Sequence, residues 1–151
     1  MTAVRLVRVT TALPDQMDEL RAEADAEGVR NQGMLQRDFL SGAERFEKPG
    51  ELLLACFEGE TLVGIGGLTV EPDQSVQAMR LRRVFVRKAW RKRGIGRVFG
   101  EALMKHGFET VDLLTLNAGV PNADKFWEAL GFTRVVHDTR THEMRRTAFK
   151  A

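Results

Sequence analysis

The chain has 151 residues, 43% of them apolar, and a formal net charge of only +2. That length and composition suit one domain spanning 1–151, which would bury about two thirds of its unfolded surface. No run of eighteen apolar residues occurs, the start Met1-Thr2-Ala3-Val4-Arg5 lacks the apolar stretch of a signal peptide, and the one cysteine rules out an internal disulfide. These features argue against a membrane partner and for a cytoplasmic protein.

Val4 to Val9 alternates Val4 and Leu6 against Arg5, Val7 and Arg8, and is expected to form a first strand at a sheet edge. Pro14 suits the first turn of a helix, along which Met17, Leu20 and Ala24 fall at helical spacing before Gly28 ends it. A second helix is expected from Asn31 to Leu40, with Leu35, Phe39 and Leu40 facing inward, and Pro49-Gly50 is a break. Leu52 to Phe57 is a continuous apolar run, as in a strand covered on both faces. Glu58-Gly59-Glu60 then forms a hairpin turn into a returning strand, Leu62 to Val70. The glycines Gly64, Gly66 and Gly67 in that strand allow close backbone approach.

After a turn at Pro72-Asp73, Ala78 to Val86 forms the fourth strand. Its alternation of Met79 and Leu81 with Arg80 and Arg82 fails at Arg83-Val84-Phe85-Val86, and such a slip predicts a bulge. A loop with two glycines follows, opening a helix with Ile95, Phe99, Ala102 and Leu103 on one face, to about His106, with Gly107 as C-cap. Val111 to Leu116 makes a fifth strand. Asn122 can cap the next helix, whose apolar face is Phe126, Trp127 and Leu130 and which Gly131 closes. Phe132 to Val136 and Glu143 to Ala148 complete the chain as a strand pair. The predicted order is β-α-α-β-β-β-α-β-α-β-β: an α/β fold with a mixed central sheet and helices on both faces.

The chemistry concentrates between Val86 and Phe99. Nine of the 23 cations fall between Arg80 and Arg97, a segment without acids, leaving 14 cations against 21 acids elsewhere. A helix start exposes about four unpaired N–H groups and the positive end of its dipole. Glycines let the backbone close round a ligand, so such a loop suits a phosphate or pyrophosphate. The spacing, Arg91-x-x-Gly94-x-Gly96, lacks the Gly-Lys-Ser/Thr of a mononucleotide loop and the three glycines of a dinucleotide loop. A solvated basic face is the plainer alternative. Nucleic-acid binding is disfavoured, because no aromatic stacking platform is interleaved with the charge.

The loop resembles the acyl-CoA loop of the GCN5-related N-acetyltransferases (GNAT), whose signature is Arg/Gln-x-x-Gly-x-Gly/Ala. Downstream, Phe126-Trp127-Glu128-Ala129-Leu130-Gly131-Phe132 is similar to that family's "F-Y-E-K-L-G-F" segment. The resemblance covers roughly Leu52 to the C-terminus and implies acetyl transfer from acetyl-CoA, as co-substrate, to a primary amine of a small molecule or a protein. It implies a pyrophosphate held by backbone N–H groups between Arg93 and Arg97, hence by Arg93, Gly94, Ile95, Gly96 and Arg97, with Arg91, Lys92 and Arg93 as cations of that loop. It also implies a bulge that splays the fourth strand from the fifth, pantetheine pairing at Phe85 and Val86, and an oxyanion donor in the backbone near Val84-Phe85. Asn117 and Asn122 are further cofactor contacts, a helix cap being the equal alternative for Asn122.

The sequence departs from the family at the proton donor. Trp127 stands where the tyrosine is expected, and the chain has no tyrosine at all. An indole N–H donates a hydrogen bond but does not release its proton. The catalytic acid and base are therefore unassigned, with Glu71 and Glu51 as weak candidates acting through water. Trp127 is most simply core, and alternatively lines the acetyl pocket. Cys56 reads as a small core hydrophobe, and His106 as a helix-end cation. His137 and His142 lack ligand spacing, so no metal is expected. Glu23, Asp25 and Glu27 form an acidic patch that could favour a cationic amine, or is simply solvated. The alternatives to an acetyltransferase are a non-catalytic acyl-CoA-binding sensor or partner subunit and, further off, a nucleic-acid-binding module. Oligomeric state stays open, a homodimer included, as does whether the acyl group is acetyl or longer.

Overall fold

A computed structural model describes residues 3–120 and 122–150. The elements occur in the predicted order. They are β1 (Arg5–Arg8), α1 (Met17–Ala26), α2 (Asn31–Ser41), β2 (Leu52–Glu58), β3 (Thr61–Val70), β4 (Met79–Val86), α3 (Ile95–Gly107), β5 (Leu113–Leu116), α4 (Ala123–Ala129), β6 (Thr133–Arg134) and β7 (His142–Arg145). The seven strands form one sheet in the order β1-β2-β3-β4-β5-β7-β6. Every neighbouring pair is antiparallel except β4 and β5, which α3 connects in parallel.

Alternation along β2 sets the two cores. Leu53 and Ala55 point to the side of α1 and α2, where Leu20, Leu35 and Phe39 bury. Leu52, Leu54 and Cys56 point to the side of α3 and α4, where Ile95, Phe99, Leu103 and Trp127 bury. Each fully buried large side chain contributes about 1.5–3 kcal/mol. Because both faces are covered, β2 needs apolar residues at successive positions, the pattern its sequence shows.

The bulge in β4 is present. Gly67 pairs with Arg82 and Ile65 with Phe85, so Arg83 and Val84 together face Gly66. Arg83 adopts the left-handed region, φ 59°. A Cβ on Gly66 would lie 2.8 Å from the Val84 Cα and clash, so the bulge can form only against a glycine.

Several expectations are corrected. Pro14 lies ahead of α1, its carbonyl accepting from the Met17 N–H in the turn that starts the helix. Leu40 is 72% exposed, because the inward stripe of α2 runs through Gln32, Leu35 and Phe39. Gly107 is the last residue of α3, with Phe108 at the C-cap; a Cβ there would come within 2.7 Å of the Leu114 side chain, so it is small for helix–sheet contact. The closing strands are short. β6 pairs at two positions, Val136 is fully exposed, and Arg146–Ala148 is a 3-10 turn. The intervening loop is drawn away by Arg140, which binds Asp73 at 3.0 Å and Glu143 at 2.7 Å.

Candidate active site

The parallel ladder between β4 and β5 has only two pairs, Met79 with Leu114 and Arg80 with Thr115. Beyond them β4 bends through its bulge while β5 continues beside β7. One edge of β4, from Leu81 to Val86, is thereby left without a strand partner, and the N-terminus of α3 follows from the end of that edge. The bulge is held from the other face: Gln32 of α2, fully buried, donates from Nε2 to the Arg83 carbonyl at 2.6 Å. Sequence reasoning passed over Gln32. Its signal was a polar residue at position 32, in inward helical spacing with Leu35 and Phe39.

From Val86 the chain enters a 3-10 turn, Lys88–Trp90, and then the glycine loop. Lys92 and Gly94 both have positive φ, 62° and 82°. Gly94 is the N-cap of α3, and a Cβ built on it would meet nothing within 4 Å. The first turn of α3 closes with the Val98 N–H on the Gly94 carbonyl, 3.1 Å. The amides of Ile95, Gly96 and Arg97 come before that bond and are the unpaired donors of a helix start. Gly96 serves packing: a Cβ there would lie 3.1 Å from the Phe126 ring of α4.

Four of the nine cations of the basic segment are paired with acids. Arg80 pairs with Glu71 at 2.9 Å. Arg87 pairs with Glu23 and donates to the Leu62 carbonyl. Arg91 grips Glu27 with two bonds of 2.7 and 2.9 Å, donates to the Val86 carbonyl at 2.8 Å, and lies over the Phe85 ring. Arg97 reaches Glu101 at 3.3 Å. Lys88, Lys92 and Arg93 are exposed beside the loop. The acidic patch of α1 is correspondingly engaged, since Glu23 and Glu27 bind the loop arginines and Asp25 pairs with Arg21 at 3.5 Å. Neither a free lure for a cationic amine nor a merely solvated face describes it: Glu23 and Glu27 tether α1 to the glycine loop.

Phe85 and Val86 lie on the bulged strand, and Asn117 is exposed directly after β5. Asn122 occupies the N-cap of α4 but makes no side-chain cap bond. Its left-handed backbone, φ 67°, differs from the extended geometry that aims a capping oxygen at the N2 or N3 amide. Trp127 is 7% exposed, edge-on to Phe126 at 4.8 Å and Phe132 at 5.6 Å. It is part of the core.

Glu51 and Glu71 are both committed to local structure. Glu51 accepts the Lys48 and Val70 amides at 3.1 and 2.9 Å. Glu71 binds Arg80, the Thr115 hydroxyl at 2.8 Å and the Asp73 amide at 2.8 Å. Burial alone would raise the Glu71 pKa, but the Asp73 amide, Thr115 and Arg80 outweigh it and hold the carboxyl below its ordinary value. Cys56 is fully buried, and burial pushes its thiol up to about 11. His106 sits in the last turn of α3, 3.6 Å from Glu109. His137 faces Asp73 at 3.3 Å. His142 is enclosed, with Nε2 2.8 Å from Glu128 and Nδ1 2.7 Å from Thr141. Among the described residues no group of three His, Cys, Asp or Glu is placed to hold a metal ion, and no helix is long and apolar enough to cross a membrane.

A family model for an acetyltransferase (GNAT) domain matches residues 21–150. No curated protein matches the sequence. Among solved structures, a protein from Exiguobacterium sp. 255-15 described as an acetyltransferase is 27% identical, with a TM-score of 0.87 over 97% of this chain and 96% of its own. A mutant AtaT toxin bound to the C-terminus of the antitoxin AtaR and to acetyl-CoA is 13% identical, with a TM-score of 0.71 over 95% of this chain and 94% of its own. A KacTA–DNA complex gives 16% identity and a TM-score of 0.71 over 96% and 94% of the two chains. The last two likenesses are of fold.

Proposed function

The chain belongs to the GNAT acetyltransferase family, and on that premise we propose that it transfers the acetyl group of acetyl-CoA to a primary amine by direct attack on the thioester. The observation that carries this reading is the bulged β4, parted from β5 after two pairs and leading into a glycine loop with open amides. The donors suit their task. The amides of Ile95, Gly96 and Arg97, with the positive end of α3, favour a pyrophosphate. Arg93 supplies an exposed cation, while Arg91 braces the loop against α1 and Val86. The open space over Gly94 leaves room for phosphate oxygens. The unpaired edge of β4 at Phe85 and Val86 can align the pantetheine amides, and a backbone N–H of the bulge is the oxyanion donor. Asn117, exposed after β5, and Asn122, exposed at the N-cap of α4, are further contacts for the cofactor. Gln32, by fixing the Arg83 carbonyl, keeps that donor in register.

No side chain is assigned to proton transfer. Glu51 and Glu71 are enclosed by their own partners, and the Trp127 indole does not give up its N–H proton. The amine then loses its proton to water and the thiolate leaves unprotonated or takes its proton from water. This same observation supports the second reading, a non-catalytic acyl-CoA binder. Calorimetric titration with acetyl-CoA, CoA and longer acyl-CoAs tests the shared premise. Micromolar or tighter binding of acetyl-CoA is expected, and no binding of any acyl-CoA would remove both readings.

A further inference from the structure

Just ahead of the bulge, on the α2 side of β4, is a cavity of about 210 Å³ lined by Leu35, Asp38, Glu44, Phe46, Arg82 and Arg83. Two guanidinium groups in a half-buried wall need anionic partners, because a desolvated charge without one is costly. Neither has a carboxylate within 4.0 Å among the described residues. The side-chain acceptor found for Arg83 is the Asn31 amide oxygen at 3.2 Å, and Arg82 has none among the described residues. The acids of the pocket are partly used elsewhere: Asp38 pairs with Arg37 at 3.1 Å, and Glu44 accepts the Phe46 amide at 3.0 Å. Burial, and then the charge of the neighbouring arginine, make protonation of Arg82 and Arg83 harder than in water, with Asp38 and Glu44 offsetting this only from a distance. A guanidinium stays charged regardless. The pocket therefore holds two underused cations on one wall and two part-free carboxylates on another.

We infer that the acceptor is a small zwitterionic amino acid, its carboxylate docked on Arg82 and Arg83 and its ammonium drawn toward Asp38 and Glu44. This rests on the acetyl-transfer reading above. Two arginines offer the forked donors that recognise a carboxylate with two bonds. Arg82 directly precedes the bulge and Arg83 lies in it, which sets the carboxylate on the strand that carries the bulge, and the bound ammonium loses its proton to water before it attacks. The volume falls below the roughly 300–1,000 Å³ of sites for drug-sized ligands, which suits a single amino acid rather than a folded chain. A polyamine would instead set its cations against the arginines.

The test is calorimetry on protein saturated with CoA, titrated with the proteinogenic amino acids and with the α-carboxamide of each that binds. At least one amino acid should bind about tenfold or more tighter than its carboxamide, the loss expected for one charge-assisted contact. Arg82→Gln should reduce that ratio to within about threefold, and Arg82→Lys should restore part of it. Carboxamides binding as tightly as the amino acids, no amino acid binding at all, or an unchanged ratio in a folded Arg82→Gln would each overturn the inference. If Arg82→Gln does not fold, Arg82→Lys and the wild-type comparison still decide. Failure to bind acetyl-CoA would instead sink the acetyl-transfer reading, whereas acetyl-CoA binding without carboxylate preference removes only this inference.

Discussion

Replacing Gly94 by Val separates backbone strain from ligand contact. Gly94 has φ 82° and open space where a Cβ would stand, and Gly42, at the end of α2, has φ 85° and equally open space. Valine in the left-handed region costs on the order of 1–3 kcal/mol. For a chain of this size each kcal/mol lowers Tm by roughly 2–4 °C. Gly94→Val and Gly42→Val should therefore lose stability by similar amounts, about 2–12 °C, in a thermal melt without ligand. Only Gly94→Val should lose acetyl-CoA affinity, by more than about tenfold or 1.4 kcal/mol, because its methyls fill the space assigned to phosphate oxygens and crowd the free amides of α3. Calorimetric titration of the two folded variants measures this. A Gly94→Val protein that binds acetyl-CoA within about twofold of wild type would refute the assignment of the loop, and an equal loss in Gly42→Val would show that strain alone is responsible.

Arg93→Ala should weaken acetyl-CoA binding by about 1–3 kcal/mol, a loss that shrinks with added salt in the same titration. Arg91→Ala should cost less affinity and more thermal stability, since its guanidinium is already bound to Glu27 and the Val86 carbonyl. Glu71→Ala leaves Arg80 buried without its partner and should cost about 3–5 kcal/mol in urea unfolding at pH 7. Because the folded Glu71 pKa lies below its unfolded value, its contribution is complete above about pH 4.3 and is lost as pH falls through the folded pKa; Glu71→Gln should lack that component of the acid-side slope, and an identical slope would count against the network. For Trp127, kcat/KM should rise with pH without a falling limb near about 10, the range of phenol ionisation. Trp127→Tyr should gain at most about tenfold, lost above about pH 10; a wild-type bell with an alkaline limb there would mean that another residue is the acid.

The order of elements, the bulge and the glycine loop were legible because each depends on short-range pattern. An alternation that breaks at Arg83 points to a bulge, and a helix that opens on Gly94-x-Gly96 exposes amides at its start. What was hidden depends on which residues meet across the sheet. The basic segment looked like one positive field, yet Glu71, Glu23 and Glu27, distant in sequence, neutralise Arg80, Arg87 and Arg91. The same contacts make the acidic end of α1, open in sequence to a solvated face or a substrate lure, a brace. Leu40, expected inward with Leu35 and Phe39, is exposed, and Gln32 holds an inward position instead; its spacing is readable, but its bond to the Arg83 carbonyl, across the fold, is not. The final hairpin was overextended because its apolar residues continue past the point where Arg140 pulls the loop toward Asp73.

The most direct test of the central claim is free-thiol release from acetyl-CoA at about pH 8, near the ordinary thiol pKa, over a panel of primary amines with the acetylated products identified by mass. Cys56 is buried, its thiol pushed up to about 11, so the folded protein adds little background. Amine-dependent release, matched mole for mole by N-acetylated product and lowered severalfold or more by Gly94→Val at an acetyl-CoA concentration below the wild-type Kd, is the predicted result. Tight acetyl-CoA binding with no release above the rate without amine would contradict it and leave a binder of acyl-CoA.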